Sequence, residues 1–210
     1  GTSPTGCASA ASPASCAPPP PEGGRRARPG PGVGGRARAR GGGGAPAAAR
    51  GLDPLALDEA ADARTPVPAL RTTARKLGRQ LLRAARATWP SAELDALAAA
   101  RPRGAHQPVV LGLTARSAGL TPLDAGYCAA YESVSGPATA VVRLLGLDPF
   151  EATAVLARLT PALDEIAVRA AAYAEQAVAE GTGALPAPSA PLLDIMAQAH
   201  AAWPVRLFAS

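Results

Sequence analysis

The chain has 210 residues, 48% of them apolar and 18% charged, with a formal net charge of +5. The excess is local: residues 1–50 carry seven arginines against one acid, Glu22, while residues 51–210 hold 14 basic and 15 acidic side chains, a net of −1. A globally basic nucleic-acid-binding domain is therefore disfavoured.

Residues 1–50 also hold 12 of the 22 glycines and nine of the 23 prolines, and Val33 is their only aliphatic side chain larger than alanine. So little apolar surface does not offset roughly 1–2 kcal/mol of backbone entropy per ordered residue, and the segment is predicted to be disordered. Residues 51–210 suffice for one compact domain. Within the first segment, Gly30, Gly32 and Gly35 match the glycine spacing of a dinucleotide loop, but no strand precedes them and no helix follows. The glycine run 41–44 lacks the Lys and Ser/Thr of a phosphate-binding loop.

From Leu52 onward the punctuation is helical. Asp53-Pro54, Thr121-Pro122, Asp148-Pro149 and Thr160-Pro161 each set a capping side chain before a proline at the first helical position. Asp124, Glu151 and Asp164 then fall in first turns, where unpaired amide groups favour negative charge. Ser91 with Glu93 and Ser189 with Asp194 repeat the signal more weakly. Apolar residues recur at helical spacing, as in Leu70, Ala74, Leu77, Leu81 and Ala85. These patterns predict an all-α bundle with helices near 54–62, 67–88, 91–100, 107–118, 122–133, 137–146, 149–159, 161–180 and 190–202. Gly136-Pro137 is expected to break or kink its region, residues 181–188 to form a loop, and residues 204–210 an extended tail.

The chemistry of most enzymes is missing. His106 and His200 are the only histidines, and Cys7, Cys16 and Cys128 form no metal-binding or disulfide framework, so no cofactor or metal is expected. No signal peptide, membrane span or N-glycosylation acceptor is present, which makes a reducing cytoplasm the expected location. Opening on glycine rather than methionine suggests a fragment or a misassigned start. His106 reads as a helix-entrance histidine bonding backbone groups, and Cys128 as a small buried packing residue.

One charge pattern stands out. Arg71, Arg75, Lys76, Arg79, Arg83 and Arg86 fall within sixteen residues with no acid among them, and five of them make a stripe along one helix. Such a stripe is either a solvated face or the footprint of an acidic protein partner; nucleic acid fits less well because no aromatic residue interleaves.

Several segments together resemble the UreF family of urease accessory proteins. They are the basic helix Leu70–Leu82, the run His106-Gln-Pro-Val-Val-Leu-Gly112, the stretch Ser135–Leu145, and the ending Ser189–Ile195, His200 and Arg206-Leu-Phe-Ala-Ser210. The resemblance covers residues 52–210 and implies an all-helical, usually dimeric assembly chaperone without a catalytic centre. Its implied partners are the accessory protein UreD (UreH), the nickel-carrying GTPase UreG and urease apoprotein, with GTP hydrolysis coupled to nickel insertion. The tail residues Arg206, Leu207, Phe208 and Ser210 match the segment expected to order against UreD, with Leu207 and Phe208 as apolar anchors. Phe208 folding back on its own domain is the alternative. The stripe containing Arg71, Arg75, Arg79 and Arg83 is a second candidate contact.

Residues 1–51 lack the apolar helical opening that the resemblance implies, and look like GC-rich DNA read in another frame. Translating the other two frames tests this; absence of the opening motif from both would sink it. The rival function is a nucleic-acid-binding helical protein with a basic disordered arm, whose affinity would fall steeply with salt. A small helical enzyme would instead need an acid gathered with His106 or His200.

Overall fold

The computed structural model describes residues 43–203, and every regular element among them is helical. The helices are α1 (Gly44–Arg50), α2 (Pro54–Ala63), α3 (Pro68–Thr88), α4 (Ala92–Ala100), α5 (Gln107–Ser117), α6 (Pro122–Leu145), α7 (Pro149–Glu180) and α8 (Pro191–Ala201), with a 3-10 turn at Thr182–Ala184. The expectations for residues 1–42 and for the tail 204–210 lie outside the described residues.

The caps behave as their chemistry dictates. Asp53 accepts from the amides of Leu55 and Ala56, both at 3.1 Å, and Asp148 accepts from Phe150 at 2.8 Å. Thr121 and Asp124 form a reciprocal capping box at the start of α6. At α8, by contrast, Ala190 is the cap and Ser189 makes no capping bond, so only the first-turn Asp194 remains of the signal there.

Three expectations are corrected. The disorder expected up to residue 50 ends too late, because Gly44–Arg50 is a helix in which Ala45, Ala47 and Ala48 are wholly buried. Alanine contributes little apolar area, yet it lets backbones meet: a β-carbon on Gly112 of α5 would lie 2.0 Å from the Ala45 carbonyl oxygen. The core around α1 comes from its neighbours α5, α6 and α7. Composition could not register that.

The second correction concerns proline. Neither Gly136-Pro137 nor Thr160-Pro161 ends a helix, since α6 and α7 run through both. Glycine before Pro137 removes the β-carbon that normally clashes with the proline ring. Thr160 before Pro161 gives no such relief, and α7 still continues through it. The third concerns α3, whose buried residues are Gly78, Leu82 and Ala85, while Leu77 of the expected face is 38% exposed.

Two clusters form most of the interior. Ala47, Ala48, Leu57, Val109, Ala174, Ala177 and Leu185 join α1, α2, α5 and α7. Leu82, Ala85, Leu94, Leu97, Val110 and Leu113 join α3, α4 and α5. The far half of the α6–α7 hairpin buries nothing and exposes Val141, Leu145 and Phe150. Helix α8 packs on α3, also without a buried residue, and leaves Leu192, Leu193, Ile195 and Met196 more than half exposed.

Candidate functional site

The most concentrated polar chemistry lies where α2, α3 and the α4–α5 turn meet. Asp58 faces inward from α2 beside the core residue Leu57 and is wholly buried. Its carboxylate accepts from the His106 amide at 2.8 Å, from His106 Nδ1 at 2.7 Å, from Arg101 Nε at 2.8 Å and from Arg75 Nη1 at 3.2 Å. Burial pushes this carboxyl up, but the His106 bonds, the Arg101 bond and the Arg75 charge outweigh it and hold the group well below the usual carboxylate range. Asp58 is therefore ionised and can only accept, which places a proton on His106 Nδ1.

Arg75 extends the network with one nitrogen on Asp62 at 2.9 Å and another on the Gly104 carbonyl at 3.1 Å. Arg101 reaches Glu59 at 3.4 Å. His106 Nε2 is buried without a hydrogen bond, and its 3.6 Å separation from Asp62 is too long for one.

Glycine allows this convergence. A β-carbon on Gly104, which has φ +98°, would meet the Arg75 carbonyl oxygen at 2.3 Å, and one on Gly78 would meet the Ala105 carbonyl oxygen at 2.0 Å. The turn thus lies directly on the α3 backbone. Along its outer side runs a cleft of about 820 Å³ walled by Arg75, Lys76, Arg79, Arg101 and Arg103, with Asp62 as its one acid.

The basic stripe is divided by this geometry. Arg71 donates to the carbonyls of Thr65 and Pro66, Arg75 is held as above, and Arg86 pairs with Asp95 at 2.5 Å. Arg79 and Arg83 are exposed and have no carboxylate partner among the described residues. Arg206, Leu207, Phe208 and Ser210 lie outside the described residues. His106 caps α5 without the expected ring bond to backbone, and Cys128 is exposed rather than buried, because α6 turns Ala125, Gly126 and Ala130 inward instead.

Asp58, Asp62, Arg101, Gly78 and Gly104 were not singled out from the sequence. A usable signal did exist: three acids, Asp58, Glu59 and Asp62, sit in a short helix immediately before an acid-free basic one. An acid gathered with His106 is what an enzyme would need. Here Asp58 spends its lone pairs on four donors and has none left for a base.

Fold and site together define an all-helical scaffold whose buried charges tie its elements to one another. The UreF family's sequence profile matches residues 41–160. The chain is 41% identical over 155 residues to the urease accessory protein UreF of Mycobacterium sp. (strain JLS), covering 74% of this chain and 66% of that protein. It is 43% identical over 165 residues to the protein of the same name from Mycobacterium marinum, covering 78% and 71%. For the Mycobacterium tuberculosis protein of that name the identity is 39% over 157 residues, covering 73% and 67%.

This chain belongs to the UreF family. It spans about two thirds of the length of these relatives. The family match begins at residue 41 and so takes in α1, ahead of residue 52 where the quoted segments begin to resemble the family. No solved structure matches the chain. No helix among the described residues is long and apolar enough to cross a membrane.

Proposed function

We propose that this chain is a cytoplasmic, non-enzymatic assembly chaperone that bridges UreD (UreH) and the GTPase UreG and supports GTP-dependent nickel insertion into urease apoprotein. The observation that carries the reading is the pairing of UreF membership with the exposed apolar side of α8. A peripheral helix showing Leu192, Leu193, Ile195 and Met196 to water, followed by Trp203 at 59% exposure, is a surface that a protein partner would cover. The tail residues Arg206, Leu207, Phe208 and Ser210 continue directly from it and are proposed to dock on UreD with it. Self-association into a dimer belongs to the same proposal.

The nucleic-acid reading loses support from the stripe, since Arg71, Arg75 and Arg86 are already engaged within the chain. The test is co-purification with UreD from the same organism, comparing the full chain with one lacking residues 204–210. Capture that depends on those residues supports tail docking; equal capture without them overturns it. No capture of either chain overturns the bridging role.

A further inference from the structure

The cleft beside the α4–α5 turn is lined by two exposed arginines that have no acceptor among the described residues. Arginines around it find acceptors: Arg71 on two carbonyls, Arg75 on Asp58 and Asp62, Arg86 on Asp95, Arg101 on Asp58 and Glu59, and Arg116 on Glu93 at 3.1 Å. Among the described residues Arg79 and Arg103 do not, although both are exposed and both line this cleft. They are also neighbours, because the Arg79 β-carbon lies 2.9 Å from where a Gly104 β-carbon would stand. Two guanidinium groups carried on adjoining backbone can share one anionic ligand between them.

The backbone beneath them is closely packed. Gly78 and Gly104 press the turn onto α3 too closely for any side chain, and Asp58 fixes Arg75 and Arg101 from the buried side. We infer that the Arg79–Arg103 cleft is a docking site for an acidic peptide segment of a protein partner, read by its carboxylates. Each guanidinium presents a planar fork that matches a carboxylate, so two acids close together on an extended segment are the natural complement.

Nucleic acid fits worse. No aromatic side chain among the described residues lines the cleft to stack a base, whereas an acidic peptide needs none. The inference deepens the chaperone reading by adding a second docking surface away from the tail, and rests on that reading only for its biological use.

The test measures binding of a fluorescein-labelled hexaglutamate peptide to the full chain by anisotropy at low ionic strength. No urease component is present, so its outcome is separable from the UreD experiment. Arg79→Ala and Arg103→Ala should each weaken binding roughly tenfold, equivalent to about 1.4 kcal/mol for the loss of one charged contact. Arg83→Ala, one turn along the same helix and outside the cleft, should change it less than about twofold. Both cleft variants should keep the wild-type melting temperature, because neither side chain has a hydrogen bond or ion pair to lose among the described residues. Charge reversal at both positions should move the preference to hexalysine. Wild-type affinity in the double alanine variant, an equal loss in Arg83→Ala, or tighter binding of a single-stranded oligonucleotide through the same two arginines would each overturn the inference.

Discussion

Asp58 and His106, 48 residues apart, are joined twice: the carboxylate accepts from both the backbone amide and the ring Nδ1 of the histidine, on two side chains no more than 2% exposed. This pair fixes α2 to the entrance of α5. Arg75 and Arg101 then tie α3 and the end of α4 to the same carboxylate.

Removing the carboxylate should therefore strand several groups at once. Asp58→Ala leaves the His106 amide and ring Nδ1 without their acceptor and takes one acceptor from each of two part-buried guanidinium groups, with an expected cost of about 3–5 kcal/mol in urea unfolding. Asp62→Ala removes an acceptor that is 42% exposed and should cost less than about 1 kcal/mol. A similar loss in both variants would show that Asp58 is not the centre of the network.

The same carboxylate sets an acid limit. Its folded-state pKa lies below the ordinary value near 3.8, so the folded state releases this proton more readily than the unfolded chain. The stabilisation is complete above about pH 4 and falls away as pH drops towards the folded pKa. Unfolding free energy measured downward from neutral pH should decline below that point. Asp58→Asn, already weaker at neutral pH, should show a shallower acid slope; an unchanged slope would assign the acid sensitivity elsewhere.

Three glycines in helices should rank by what a β-carbon would meet. Gly78→Ala and Gly112→Ala force a methyl to within 2.0 Å of a carbonyl oxygen on a neighbouring element and should each cost about 1–3 kcal/mol or more. Gly126→Ala meets the Ala167 carbonyl oxygen at 3.1 Å and should cost less, because better helix propensity offsets part of the strain. Thermal unfolding of the three variants checks the order.

Helix α8 should separate stability from partnership. Leu192→Ser with Ile195→Ser changes side chains that are 70% and 67% exposed, so unfolding free energy should move by no more than about 0.5 kcal/mol per site. Recovery with UreD should fall at least tenfold if this face is covered in the complex, as a lost apolar anchor predicts. Full recovery would remove α8 from the proposed interface.

Reading the site from sequence had a definite boundary. The basic helix was visible because like charges lie close along the chain, but which arginines are structural depends on acids brought in by other helices. Asp58 supplies Arg75 across 17 residues and Arg101 across 43, separations that no local pattern records. His106 was noticed, yet its partner was not, for the same reason.

The sequence by itself determined the helical class, the caps at Asp53, Thr121 and Asp148, and the UreF resemblance, since each depends on residues adjacent in the chain or repeated at helical period. Tertiary structure alone decided that the alanines of Gly44–Arg50 are core, that Pro137 and Pro161 are carried inside helices, and that α3 buries Gly78 and Leu82 rather than Leu77. The physical reason is common to all three. Small side chains and interrupted backbone bonds have little energy of their own, and their outcome is set by how closely a distant helix can approach.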